Sequence, residues 1–517
     1  MNKPNPRERQ AKSPNEGMAE WILDAIARRK VSGISPPPII SRAKPRNAAK
    51  IFLMGLAIEG VSRLRFQHGE FWLWEDGAYE RQSDRTIRKL VGDFLLEARC
   101  HSKDGTISFD PKRRDIDEIM DALKIEAHLD DSCIAPCWLQ NGEFAGDWIV
   151  FRNVIVNVKT GEERPHTHLL WSHDKLDFDW QPEAECPVWL RFLESIFPDD
   201  PAAQQCLEEW IGLCMTLDTW PEKAMLLLGQ RRSGKSTIVH VIEKLVGKRG
   251  FGTFSFDDLH KGEFSRHGMI GKRAIIFSDV RLKEGKYYGK QWDAGGLPHA
   301  ARETLLKITG RDSMSFRKMY STEVLSEGTL PGKVTLVSNE PPNFNDDTLT
   351  TRFLKLHFAI DQEKAGALDP MLGEKLNAEL SGIAWRCIAA YQRLLERRKF
   401  VQPESGLALD QQLARARSPH LAMVCECFEE SSGKEDWVVK KDALLVCQEW
   451  LRENGHGILA SILRGEAMGD HLVKGFQHLQ RLSPRERYKQ RSDDQRYWTH
   501  LRLSAEGRRL LGIDDDA

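Results

Sequence analysis

The chain has 517 residues, room for on the order of two to four domains each with its own core. At 41% hydrophobic and 29% charged residues it falls among ordinary soluble globular proteins, and a net charge of −1 neither demands nor forbids nucleic acid, since a groove confines positive potential to one surface. No apolar run reaches membrane-span length and the N-terminus MNKPNPRERQ lacks the apolar core of a secretory signal, so a cytoplasmic protein with no membrane partner is expected. The ten cysteines are scattered, and the closest pairs, Cys133/Cys137 and Cys425/Cys427, have no second pair at zinc spacing; reduced thiols are expected.

In chain order, residues 1–47 are rich in Pro, Lys, Arg and Ser, with a short helical stretch from Trp21 to Arg29, and read as a flexible basic arm. Residues 48–180 alternate apolar runs with turn signals: FWLWEDG from Phe71, a charged helical stretch near Arg85 to Arg99, and WIVFRNVIVNVKTG from Trp148 to Gly161. A small mixed α/β domain is predicted there. Within 181–221, PVWLRFLESIFPDDPAAQQCLEEWIGLCMTL has helical apolar spacing broken at Pro198 to Pro201, which predicts two helices forming a collar. Residues 222–360 alternate β-rich and helical runs, the pattern of a parallel sheet wound with helices. Residues 361–415 read as helical and 416–517 as a compact charged module.

The chemistry concentrates at AMLLLG, a buried strand ending at Gly229. Gln230, Arg231, Arg232 and Ser233 form a loop, and Gly234, Lys235, Ser236 and Thr237 open a helix with Ile238, Val241, Ile242 and Leu245 on its apolar face. Glycines let backbone N–H groups curl round phosphate oxygens, Lys235 reaches the β and γ phosphates, Ser236 ligates Mg²⁺, and the helix N-terminus adds its dipole. ATP and Mg²⁺ are the predicted cofactors. The strand RAIIFSDV ends in Asp279, a candidate for orienting metal or water. GKVTLVSNEPPNF holds another strand ending at Asn339, an amide suited to sense the γ phosphate, and Arg352 downstream suits an arginine finger acting on a neighbouring subunit's nucleotide. Plain structural readings compete at each: a turn cap for Asp279, a turn residue for Asn339, a surface ion pair for Arg352.

At this point the ordered set resembles the superfamily 3 helicases of the poxvirus and phage/plasmid primase-helicase type. GQRRSGKST resembles motif A, GKRAIIFSD motif B, LLKITGRDSMSFRKMY motif B-prime, and KVTLVSNEPPNFNDD with the following arginine motif C. FRNVIVNVKTGEERPHT and DFDWQPEAECPVWLRFLESIFPDD are similar to that family's N-terminal region, so the likeness covers about residues 60–360. It implies an AAA+-like P-loop core in a ring, usually hexameric, with ATP between subunits and single-stranded DNA in the channel. It also implies 3′ to 5′ unwinding of forked DNA in phage or mobile-element replication in a bacterial host, and a separate primase or initiator as partner. By this resemblance Lys307, Gly310 and Asp312 belong to motif B-prime, and Arg317, Lys318 and Tyr320 to a hairpin facing the channel; an ordinary amphipathic strand explains the same trio. The chain departs in having a single acid at motif B and Thr351 before Arg352.

Towards the C-terminus, VVKKDALLVCQEWLRENG and GDHLVKGFQHLQRL read as helices, followed by a basic turn and the strand THLRL, a winged-helix-like order. Lys474, Arg485, Arg487 and Lys489, with Arg481, Arg491 and Arg496, would contact DNA phosphates; a solvated charged face explains them equally. Three other functions compete with a helicase. They are an ATP-switched oligomeric scaffold, a small-molecule kinase, and a primase built on Asp177-x-Asp179, which has no third acid in a plausible context.

Overall fold

A computed structural model describes residues 37–103, 105–255, 267–278, 286–287, 290–291, 299–317, 324–339, 347–358, 369–409, 419–431, 436–454, 456–476, 479, 488–490 and 496–513. The chain divides into two compact units, Met1–Trp180 and Gln181–Ala517.

In the first unit, helix α1 (Pro45–Gly55) precedes an antiparallel meander of β1 (Leu64–Gln67), β2 (Glu70–Glu75) and β3 (Ala78–Gln82), then helices α2 (Asp84–Glu97) and α3 (Arg113–Glu126). Alternation along the strands puts Leu64, Phe71 and Leu73 on one face, where they share a core with Phe52, Leu90, Leu95, Ile119 and Leu123 of the helices. The opposite face meets Trp171, with Tyr79 fully buried against it. A second small sheet joins β4 (Trp148–Val150), β5 (Ile155–Asn157) and β6 (Glu163–Arg164). The basic arm expected to run to residue 47 ends earlier: Ile40 is in the core, its N–H donates to Arg99 O at 2.7 Å, and Pro45 opens α1. One apolar side chain with a backbone partner anchors a segment whose composition reads as linker. The helix expected at Trp21 to Arg29 lies outside the described residues.

The second unit opens with α4 (Pro187–Ile196) and α5 (Pro201–Met215), two helices separated where prolines 198 and 201 were expected to break them. There follow β7 (Ala224–Gly229), α6 (Lys235–Val246), β8 (Phe251–Phe254), β9 (Ala274–Phe277), α7 (His299–Gly310), the antiparallel pair β10 (Met314–Arg317) and β11 (Val324–Gly328), β12 (Lys333–Ser338), α8 (Asp347–Arg352) and β13 (Phe353–Phe358). Five of these strands form a parallel sheet in the order β8-β9-β12-β7-β13. A parallel sheet covered on both faces needs continuous apolar strands. Every residue of β7 is buried accordingly. β13 closes one side of this sheet, and the Gln402 side chain pairs with it, accepting from Lys355 N–H at 3.2 Å and donating to Lys355 O at 2.8 Å.

Beyond the sheet come α9 (Leu372–Ala378) and α10 (Leu380–Arg397). α10 packs on α5 so closely that a Cβ on Gly212 would fall 2.1 Å from Cys387 O. Buried Glu208 accepts from Arg386 at 2.8 and 3.0 Å and from Trp189 Nε1 at 3.1 Å; buried Glu209 accepts from Arg397 at 2.7 Å. The last segment contains α11 (Pro419–Cys427), β14 (Phe428–Glu430), β15 (Trp437–Val439), α12 (Lys440–Glu453), α13 (Gly457–Ile462), α14 (Gly465–Gly475), β16 (Tyr488–Gln490), β17 (Arg496–Thr499), β18 (Leu501–Leu503) and α15 (Ala505–Leu511). β15, β17 and β16 form a three-stranded antiparallel sheet in that order. The strand expected at THLRL is divided at His500, whose φ is +60°. No described helix is long and apolar enough to cross a membrane.

Two cations close the C-terminus of α5: Lys333 Nζ donates to Thr216 O, and Arg273 Nη1 to Met215 O at 3.2 Å. Burial pushes the Lys333 ammonium down to about 7, with Arg273 lowering it further against Cys214 and Asp218. Above about pH 7 the folded lysine sheds its proton, whereas the unfolded one holds it to 10.5, so this group adds stability as pH rises through that window. Lys333→Met should abolish the increment, a difference on the order of 2 kcal/mol between about pH 7 and pH 9. Denaturation midpoints of both proteins across this range measure it; parallel pH profiles would show that Lys333 is charged throughout.

Candidate functional site

The loop between β7 and α6 is shaped by two glycines. At Gly229 a Cβ would lie 2.7 Å from Phe358 Cβ and 2.7 Å from Phe358 O, so the strand can end there without a side chain alone. Gly234 has φ +90°, in the left-handed region, and its missing Cβ would sit 3.0 Å from Ile196 Cγ2 and 3.1 Å from Phe192 Cζ. Arg232 is also left-handed, at φ +62°. Between these points the loop turns back on itself. The Lys235 ammonium occupies its centre, donating to Gly229 O at 2.6 Å, Gln230 O at 2.7 Å and Ser233 Oγ at 3.0 Å. Burial holds that ammonium below the usual lysine range. Ser233 is buried, Thr237 is half-buried, and Gln230, Arg231, Arg232 and Ser236 are exposed at the mouth.

Strand register decides what else reaches this edge. Leu228 pairs with Ser338, so Asn339, the first residue past β12, stands level with Gly229 and is half-buried. β9 ends at Phe277 opposite Leu336; Asp279 lies outside the described residues.

Arg352 is elsewhere. Phe353 pairs with Ala224 at the start of β7, which places Arg352 roughly 16 Å along the strand from the loop, beyond an arginine's reach. Its Nη1 donates to Leu306 O at 2.7 Å and Thr309 Oγ1 at 2.9 Å in the last turn of α7. The absent side chain of Gly310 leaves room for it: a Cβ there would be 3.0 Å from Nη1 and 3.4 Å from Asp312 Oδ2. The expected B-prime residues Gly310 and Asp312 thus gather round Arg352, while Lys307 is exposed on α7.

A group of cations around Arg352 was not foreseen. Lys223 Nζ donates to Thr351 O at 2.8 Å and Lys355 Nζ to Thr350 O at 3.0 Å. Burial first, then the charges of Lys355, Arg352 and Lys399, push the Lys223 ammonium below its usual range. The sole local hint was a lysine just ahead of the loop's strand.

Of the expected DNA contacts, Arg317 ends β10, Lys474 lies in α14 and Lys489 in β16. Lys318, Tyr320, Arg485 and Arg487 fall outside the described residues. The Asp177-x-Asp179 pair does not converge on a metal: the Asp179 carboxylate receives the Arg152 guanidinium at 2.9 and 2.8 Å, and Asp177 is exposed. No group of three or more potential ligands from His, Cys, Asp and Glu occurs among the described residues.

Residues 59–198 match the family described as D5 N terminal like. Among solved structures, the chain is similar to the apo C-terminal region of NrS-1, at 10% identity and TM-score 0.48, covering 89% of this chain and 99% of that one. An A-form apo structure of the same region gives 11% identity and TM-score 0.44, covering 84% and 96%. No curated protein matches the chain.

Gly234→Ala should cost about 1–3 kcal/mol, from left-handed strain plus the contact with Phe192 and Ile196, whereas exposed Ser236→Ala should cost less than about 0.5 kcal/mol. Chemical denaturation compares the two, and equal stabilities would mean that the loop follows another path.

Proposed function

We propose that this chain is an ATP-dependent DNA helicase or translocase of the superfamily 3 type, acting as a ring, usually of six subunits, in phage or mobile-element DNA replication. The observation that carries the reading is the loop from Gly229 to Ser236, set between a buried parallel strand and a helix N-terminus with Lys235 at its centre. Its residues fit a triphosphate. The left-handed Gly234 turns the chain into the start of α6, whose N–H groups would meet phosphate oxygens, and Lys235 would exchange carbonyl acceptors for them. Further support is the match over 59–198, which falls on the stretch similar to the helicase family's N-terminal region.

In this reading Ser236 and Asp279 would hold Mg²⁺, which would supply charge neutralisation at the triphosphate. Asn339, level with Gly229, aligns water and senses the γ phosphate. Arg352 stands at the far edge of the sheet from its own loop, out of reach of its own nucleotide, and would act on a neighbour's site. Single-stranded DNA would meet Lys307, Arg317 at the end of β10 with Lys318 and Tyr320 beyond it, and the C-terminal segment with Lys474, Arg485, Arg487 and Lys489, whose order β15, α12, α13, α14, β16, β17, with the three strands in one antiparallel sheet, suits a winged helix.

Steady-state ATPase with and without single-stranded DNA tests this. Wild type should be stimulated by DNA, and Lys235→Ala and Arg352→Ala should each lose on the order of a hundredfold or more in turnover. Mixing the two variants should restore a fraction of activity, because some interfaces then pair an intact lysine with an intact arginine. Normal turnover by Arg352→Ala would remove the trans role; ATP-dependent oligomers indifferent to DNA would favour a scaffold.

A further inference from the structure

The phosphate loop does not stand alone: α4 is braced against it. Phe192 and Ile196, on the last turns of α4 and buried at 7% and 0% exposure, lie where a Cβ on Gly234 would be, at 3.1 and 3.0 Å. The next residue, Phe197, packs its ring 4.9 Å from Phe358, and Phe358 in turn crowds Gly229. The two glycines therefore rest on one apolar strip made of Phe192, Ile196, Phe197 and Phe358.

The other end of α4 is pinned. Val188 and Trp189 N–H groups each donate at 3.0 Å to the Glu379 carboxylate at the head of α10, and Trp189 Nε1 donates to Glu208 of α5. Two orphan donors of a helix start are met by a residue about 190 positions away, which fixes α4 along its axis. A pinned helix presses its C-terminal turn on the loop.

We propose that Phe192 and Ile196 are positioning residues for nucleotide binding: they hold Gly234 in its left-handed conformation and so aim the N–H groups of residues 234–236 at the phosphates. The inference rests on the reading of this loop as a triphosphate site. Glycine at φ +90° has wide conformational freedom, and an unbraced loop would pay for ordering when the anion arrives. No residue of the strip needs to touch the nucleotide.

Equilibrium binding of ATP and ADP to the full chain, with amide hydrogen exchange of the peptide spanning 229–238, tests it. Phe192→Ala should weaken both nucleotides about tenfold and speed exchange in that peptide, with α10 peptides unchanged; Phe192→Leu should recover to within about threefold of wild type. Ile196→Val, a one-methyl change that keeps the core filled, should show the same sign at smaller size, and it carries the test if Phe192→Ala does not fold. Wild type that binds nucleotide while Phe192→Ala or Ile196→Val binds and exchanges identically overturns the brace alone. Wild type that binds no nucleotide overturns the site, and the brace with it.

Discussion

The sheet's register is the constraint from which the candidate site follows. β7 is paired in parallel on both sides, with β12 and β13, and all six of its residues are buried, so it cannot slide without exposing apolar surface on both faces. Parallel pairing collects strand ends by direction. Gly229, Ser338 and Phe358 finish at one edge; Ala224, Lys333 and Phe353 begin at the other. The loop that turns round Lys235 belongs to the first edge because a strand ends there, which is where ligands bind in open sheets wound with helices.

The second edge has the opposite character. Arg273 and Lys333 close the last carbonyls of α5, Arg273 Nη2 adds Val246 O of α6 at 2.6 Å, and Lys223, Lys355 and Arg352 donate to carbonyls just ahead of β13 or in α7. Helix and turn carbonyls carry partial negative charge, which partly offsets the burial of these cations. One sheet thus has N–H groups directed at one edge and side-chain cations at the other.

Much of the sheet was readable from residue pattern alone. AMLLLG and KVTLVS are continuous apolar runs, which buried parallel strands require, and the glycine spacing after Gly229 has a mechanism behind it. What escaped reading depends on partners distant in sequence. Phe192 and Ile196 look like an ordinary amphipathic stripe, and nothing local says that a glycine some forty residues on lies against them. Lys355 interrupts an apolar strand and would be placed outside, yet it is 2% exposed because Thr350 O receives its ammonium. Ile40 reads as linker for the same reason: its partner, Arg99, comes from another part of the chain.

The cations round Arg352 bear on why the proposed enzyme works as a ring. Burial first, and then the charges of Lys355, Arg352 and Lys399, lower the Lys223 ammonium, while Lys223, Lys355 and Arg352 donate to carbonyl oxygens of their own subunit. A like-charge cluster of this kind is relieved by an anion, and its own loop lies at the opposite edge. In the proposed ring, a triphosphate presented by a second copy would supply that charge. The contact so formed would be head to tail, loop edge to cationic edge, and such heterologous contacts close into rings when the rotation permits. On the proposed reading, ring assembly and completion of the hydrolytic site would be one event, in which the electrostatic cost borne by the separated subunit is offset.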